Sequence, residues 1–221
     1  IILISLIFIN TKNIASEKEC ADISLHDIES SKINFIEIIP KDYRKFKLTK
    51  FKNLVSLEDD LANNLYFSKK KKFKSSIKVY FSNEKKCELN AKIRVHGDGR
   101  DHYKLIDGDV VASLDVELLD GNLFNSVKFK LFIPEAEGGN SEIFNATLFK
   151  ELGFLAPETR NLKVKIGEGQ IKYLFQEKLV KEMIEKNNRR EGPILESDEE
   201  NTFGLMRIQN KKWTKSNIKM G

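Results

Sequence analysis

The chain has 221 residues, 40% of them hydrophobic and 32% charged, which supplies a core for one domain of ordinary size. Its 38 basic and 33 acidic residues leave a net charge of +5, a mild excess that reads as a solvated surface. No zinc-finger, RNP or basic-zipper pattern accompanies it, so the charge points to no specific nucleic-acid partner.

The first nine residues, IILISLIFI, are continuously apolar. A helix needs about 20 such residues to cross a bilayer, so the run predicts no transmembrane span. Its length suits the apolar region of an incomplete signal peptide over residues 1–16, with Ala15 and Ser16 as small residues near a cleavage point. The same run also reads as a buried strand. The signal-peptide reading places the chain in the periplasm, the cell envelope or the extracellular space. In such a compartment a Cys20–Cys87 disulfide is the simplest use of the two cysteines.

Residues 17–76 form an N-terminal extension. Ile33–Ile39 reads as a strand stopped by Pro40. Leu48 to Phe67 has helical spacing at Phe51, Leu54, Val55, Leu61 and Leu65. Ser68–Ser76 is a basic run that reads as a solvated connector.

The central part is strand-rich. Ile77–Phe81 and Cys87–Val95 alternate, with Cys87, Leu89, Ala91, Ile93 and Val95 on one face and Lys92, Arg94 and His96 on the other. Leu114–Leu118 and Val127–Leu131 are further strands, the second with Lys128 and Lys130 facing away. A helix over Ser141–Leu152, capped by Asn140 or Ser141, buries Ile143, Phe144, Thr147, Leu148 and Leu152. Gly153 stops it in a left-handed conformation and Pro157 prevents resumption. Two strands follow around the Gly167–Gln170 turn, and a helix over Lys178–Asn187 buries Leu179, Val180, Met183 and Ile184. These elements predict an α+β domain, a mostly antiparallel sheet with inserted helices.

The densest group of ionisable residues is His96-Gly97-Asp98-Gly99-Arg100-Asp101-His102. Three readings stand side by side. Its backbone N–H groups, with Arg94 and Arg100, suit phosphate. His96, Asp98, Asp101 and His102 suit a divalent metal, at no specific metal spacing. A structural turn whose charges pair among themselves is the third. Glu177 ends an apolar strand, where it pairs with Arg94 or Lys130 or caps the next helix. The acidic run Glu196–Glu200 reads as a solvated loop. No Ser/His/Asp or Cys/His nucleophile arrangement is visible.

Three segments resemble the CotH kinase family, the spore-coat-protein-H-like secreted atypical kinases of bacteria. KIRVHGDGRDHYK (Lys92–Lys104) is similar to its R-x-R-G block. LFKELGFLAPETRNLKVKI (Leu148–Ile166) is similar to its helix, Ala-Pro corner and strand. YLFQEKLVKEMIEKNNRREGPILESDEE (Tyr173–Glu200) is similar to its Y-x-x-x-E strand, exit helix and acidic segment. The resemblance implies a kinase-like N-lobe over 77–200 and the start of a C-terminal part over 201–221. It implies ATP and Mg²⁺ as cofactors and phosphoryl transfer to hydroxyls of a protein substrate. Arg94, His96, Gly97, Asp98, Gly99 and Arg100 would lie near the phosphates, Lys104, Lys128 or Lys130 would stand in for a gripping lysine, and Glu177 would lead into the hinge. His96 stands where the family has a second Arg, and Ala112–Leu119 lacks its lysines. The family's catalytic aspartates have no matching motif after Glu200, so the implied enzyme would be inactive as this chain alone. The other expectation is a non-catalytic envelope binding module on the same scaffold.

Overall fold

Alternation with a period of two dictates most of this structure. The computed structural model describes residues 18–19, 33–59, 71–97, 100–106, 108–136, 138–190 and 192. In chain order the elements are β1 (Lys18–Glu19), β2 (Ile33–Pro40), α1 (Tyr43–Asp59), β3 (Phe73–Phe81), β4 (Lys86–Val95), β5 (Tyr103–Ile106) and β6 (Asp109–Ala112). Then come β7 (Leu114–Leu118), β8 (Lys128–Phe132), α2 (Asn140–Glu151), β9 (Thr159–Ile166), β10 (Gly169–Glu177) and α3 (Lys181–Lys186). Every second residue of β3 from Phe73 is buried, as are Cys87, Leu89, Ala91, Ile93 and Val95 of β4.

The strands close into a ring. Its order is β4-β3-β2-β9-β10-β8-β7, and β7 pairs back onto β4. The result is a closed 7-strand mixed barrel. Every pairing in it is antiparallel except β2–β9, where Ile36 lies beside Val164 and Ile38 beside Ile166. An odd ring cannot be wholly antiparallel, because strand direction must return to itself after one circuit. The inward side chains fill the interior, with Ile38, Ile77, Ile93, Phe129, Leu131 and Phe175 fully buried. β5 and β6 form a separate hairpin.

The expected α+β domain with inserted helices, in the manner of a kinase N-lobe, is corrected by this closure. The strands lie largely where the alternation placed them. The sheet is not open, strands dominate, and the helices number three among the described residues. The ring is sealed by β4–β7, from Ala91↔Leu118 to Val95↔Leu114, and by β2–β9. Both pairings join segments that do not follow one another in the chain, and a period of two says nothing about such partners. β2 and the start of β3 come from the 17–76 segment, and both are ring strands. The basic run therefore ends in a strand, with Phe73 and Ser75 buried. Residues 68–70 lie outside the described part.

The helices also differ from expectation. α1 starts at Tyr43 and turns Phe46 and Lys50 inward, whereas Phe51 and Val55 are exposed. Leu61 and Leu65 lie outside the described residues. α2 is preceded by Gly139 at the N-cap with no side-chain cap, and its buried residue is Ala146 rather than the expected apolar stripe. Phe144, Leu148 and Leu152 face outward. Gly153 takes φ +80°, as the left-handed stop requires. α3 buries Met183, whereas Leu179, expected inside this helix, precedes it and is exposed. No helix among the described residues is long and apolar enough to cross a membrane.

β1 sits beside the ring, pairing in parallel with Cys87 and Glu88. Cys87 is buried and disulfide-bonded. Cys20, the sequence's other cysteine, lies outside the described residues. A thiol-alkylating reagent is expected to leave Cys87 unmodified in the denatured, unreduced protein and to modify it after reduction. Modification without reductant would show that the bond does not form.

Candidate functional site

Two polar groupings stand out, one where β4 ends and β7 begins and one under α1 beside the β5–β6 hairpin. The first collects several of the residues singled out in the sequence. Arg94 stands on the outward face of β4, opposite Asp115 of β7. Its Nε donates to Asp115 Oδ2 at 2.6 Å. His96 Nδ1 lies 3.2 Å from the same oxygen, off the line that a hydrogen bond requires. Asp115 Oδ1 is buried with no hydrogen-bond partner. Burial alone would raise the Asp115 pKa, but His96 and Arg94 outweigh it and hold the carboxyl well below the usual carboxylate range. Lys130 pairs in register with Asp115 on β8 and carries its ammonium 5.5 Å over the Phe132 ring. The His96 ring packs edge-on against both Phe132 and His102.

The loop after His96 docks onto Ser113. His96 N donates to Ser113 O at 2.8 Å, and Ser113 N donates to His102 O at 2.9 Å. Ser113 Oγ accepts from Ile133 N at 3.1 Å and lies 3.3 Å from His102 Nδ1. Gly97 takes φ +86°, and a Cβ there would fall 2.0 Å from the His102 ring. Only glycine serves at this close approach. The grouping contains Ser, His and Asp, yet it is not a nucleophilic site. Ser113 is fully buried, its imidazole neighbour is His102, and Asp115 faces His96 instead. Asp98 and Gly99 lie outside the described residues. Among the described residues no group of three or more His, Cys, Asp or Glu side chains is arranged to hold a metal.

The remaining sequence candidates are engaged elsewhere. Lys104 on β5 pairs with Glu135 at 2.6 Å. Glu177, buried at the end of β10, accepts from Lys186 of α3 at 2.6 Å and from the Glu158 backbone N–H at 3.1 Å. It thus ties the Ala156-Pro157 corner and α3 to the barrel. Neither Arg94 nor Lys130 is its partner, and α3 carries no side-chain cap.

The second grouping was not read from the sequence. Tyr43, Phe46, Lys47 and Lys50 of α1 roof one end of the barrel, with the β5–β6 hairpin beside them. Under this roof is a cavity of about 470 Å³, within the range of small-molecule pockets. Its walls include Val111, Leu114, Val164, Ile166 and Ile171. The Tyr173 hydroxyl is spent on Ala112 O at 3.1 Å. Lys50 is 4% exposed, and its ammonium lies 4.0 Å from Asp109 Oδ1 and 5.3 Å from the Phe46 ring centroid. Lys47 reaches the same carboxylate oxygen at 3.5 Å. Asp109 Oδ1 is buried and accepts no hydrogen bond. Burial lowers the Lys50 pKa, with Asp109 working against that shift and Lys47 adding to it.

Lys50 escaped the sequence reading because a lysine in a Lys-rich helix reads as solvated. The signal was its spacing: Phe46, Lys50 and Leu54 recur every four residues, the step of one helix face. No protein-family model matches this chain, and no curated protein matches it.

Proposed function

We propose that this chain is a non-catalytic binding module of an exported protein, a closed barrel that admits a small molecule to the cavity beneath α1. The observation that carries the reading is Lys50, a lysine only 4% exposed that lines the cavity and is held by Asp109 at 4.0 Å, beyond direct hydrogen-bond distance. A buried charge whose ion pair is too long for a hydrogen bond costs stability, and such a cost is expected where a ligand completes the pairing. The disulfide at Cys87 supports an oxidising compartment and hence export.

ATP-dependent phosphoryl transfer has less to draw on. Its scaffold was the kinase N-lobe, and the barrel stands in that lobe's place. Arg94 and His96, the expected phosphate contacts, are gathered around Asp115.

Lys50→Met tests the reading. Asp109 keeps Lys47 as a partner and is partly open to water, so the substitution strands no buried charge. The ligand-free variant is expected to be more stable than the parent by about 1–3 kcal/mol in urea unfolding. The gain should shrink as pH rises. A lysine whose folded pKa is depressed sheds its proton earlier in the native state than in the unfolded one. The parent therefore gains stability with pH up to about 10.4, where the unfolded lysine titrates. If Lys50→Met instead destabilises the protein at neutral pH, Lys50 is a structural residue and the reading fails.

A further inference from the structure

We infer that the cavity takes an electrically neutral, apolar alcohol, whose hydroxyl bridges Lys50 and Asp109 while its carbon body lies against the barrel wall. The inference rests on reading the cavity as a binding site and adds the chemistry of its occupant.

The gap between the two polar groups carries the argument. Lys50 Nζ and Asp109 Oδ1 are 4.0 Å apart, too far for a direct hydrogen bond. Lys50 is a buried residue, and the Asp109 Oδ1 atom is buried and accepts no hydrogen bond, although the Asp109 side chain as a whole keeps 32% exposure. One hydroxyl meets both needs, since it donates to the carboxylate and accepts from the ammonium. Two bonds of about 2.8 Å span this separation as a bent bridge. A carboxylate ligand would set its oxygens against Asp109, and an ammonium ligand would sit against Lys50.

The charge balance agrees. Among the described residues, the charged side chains lining the cavity are Lys47, Lys50, Asp109 and Glu168, two of each sign. A neutral ligand leaves that balance intact, whereas an ion of either sign brings an uncompensated charge into a low-dielectric space. Phe46, Val111, Leu114 and Val164 offer an alkyl or ring body apolar contact, beside the polar side chains of Tyr43 and Gln170.

Three probes with one carbon body test this. Octanol, octanoate and octylammonium are titrated calorimetrically into the full chain, its Lys50→Met variant and its Asp109→Asn variant, with folding checked by circular dichroism. The parent protein should bind octanol at least tenfold more tightly than either ion. Lys50→Met, which leaves one negative charge in excess, should shift the preference to octylammonium. Asp109→Asn, which leaves one positive charge in excess, should shift it to octanoate. Either ion equalling octanol in the parent overturns the inference, as does binding that neither variant redirects, or no binding of any probe. The stability of ligand-free Lys50→Met judges the cavity reading separately, because it involves no probe.

Discussion

Phe175→Ala is expected to cost about 3–5 kcal/mol of stability. Phe175 is fully buried on β10. Its ring centre lies 4.7 Å from that of Phe129 on β8 and 5.1 Å from that of Phe124. Aromatic pairs at such separations contribute beyond the area they bury. Phe124 is itself held by the Arg160 guanidinium, 4.1 Å over its ring, so truncation loosens the β8–β10 pairing and the loop together. The cavity left behind cannot collapse easily, because its walls are paired strands of a closed ring. Urea unfolding should show a lower midpoint at an unchanged slope, and Phe175→Leu should recover most of the loss. A loss below about 1 kcal/mol for the alanine variant would mean that the aromatic cluster does not hold the barrel as described.

Asp115→Asn is expected to cost about 2–3 kcal/mol at neutral pH. Breaking a buried ion pair from one side typically costs about 3–5 kcal/mol, and the lower figure applies because Arg94 keeps 35% of its side chain exposed. Asp115 is a carboxyl whose folded pKa is depressed. Its stabilising contribution is full above the unfolded carboxylate pKa of about 3.9. It is lost progressively as pH falls from there toward the lower, folded value. The difference between parent and variant should therefore be nearly intact at about pH 4 and close only in stronger acid. A difference already gone at that pH would show that Arg94 and His96 do not hold the carboxylate ionised.

Much of the strand content was legible because burial on one face of a strand leaves a period-two trace. Cys87 to Val95 alternates in sequence and alternates in burial without exception. What the trace omits is partnership. Nothing in Ile33–Ile39 names Val164 as its neighbour, and that pairing separates a barrel from an open lobe. The helices were harder to read for the opposite reason. Ile143, Phe144, Leu148 and Leu152 have the spacing of a buried stripe, yet the barrel is already filled by its own strands, and α2 buries Ala146 alone.

The candidate site divides the same way. Arg94 and His96 stood out because charge follows a clean strand, and they do meet at one carboxylate. That carboxylate, Asp115, was overlooked inside a strand reading as Leu-Asp-Val-Glu-Leu. Lys50 and Asp109 come from a helix and a hairpin far apart in the chain, and only the fold introduces them to each other.

The one parallel pairing within the ring also sets a timetable. β3–β4 and β9–β10 join neighbours along the chain and form from local contacts. β2 must wait, because its second partner is β9 and the two are separated by most of the chain. A polypeptide made from its N-terminus therefore carries β2 with one edge unsatisfied until residues 159–166 have been synthesised. Contacts of such long sequence separation slow folding and leave strand edges open to mispairing meanwhile. Completion of the barrel is therefore a late event, possible only once β9 has been made.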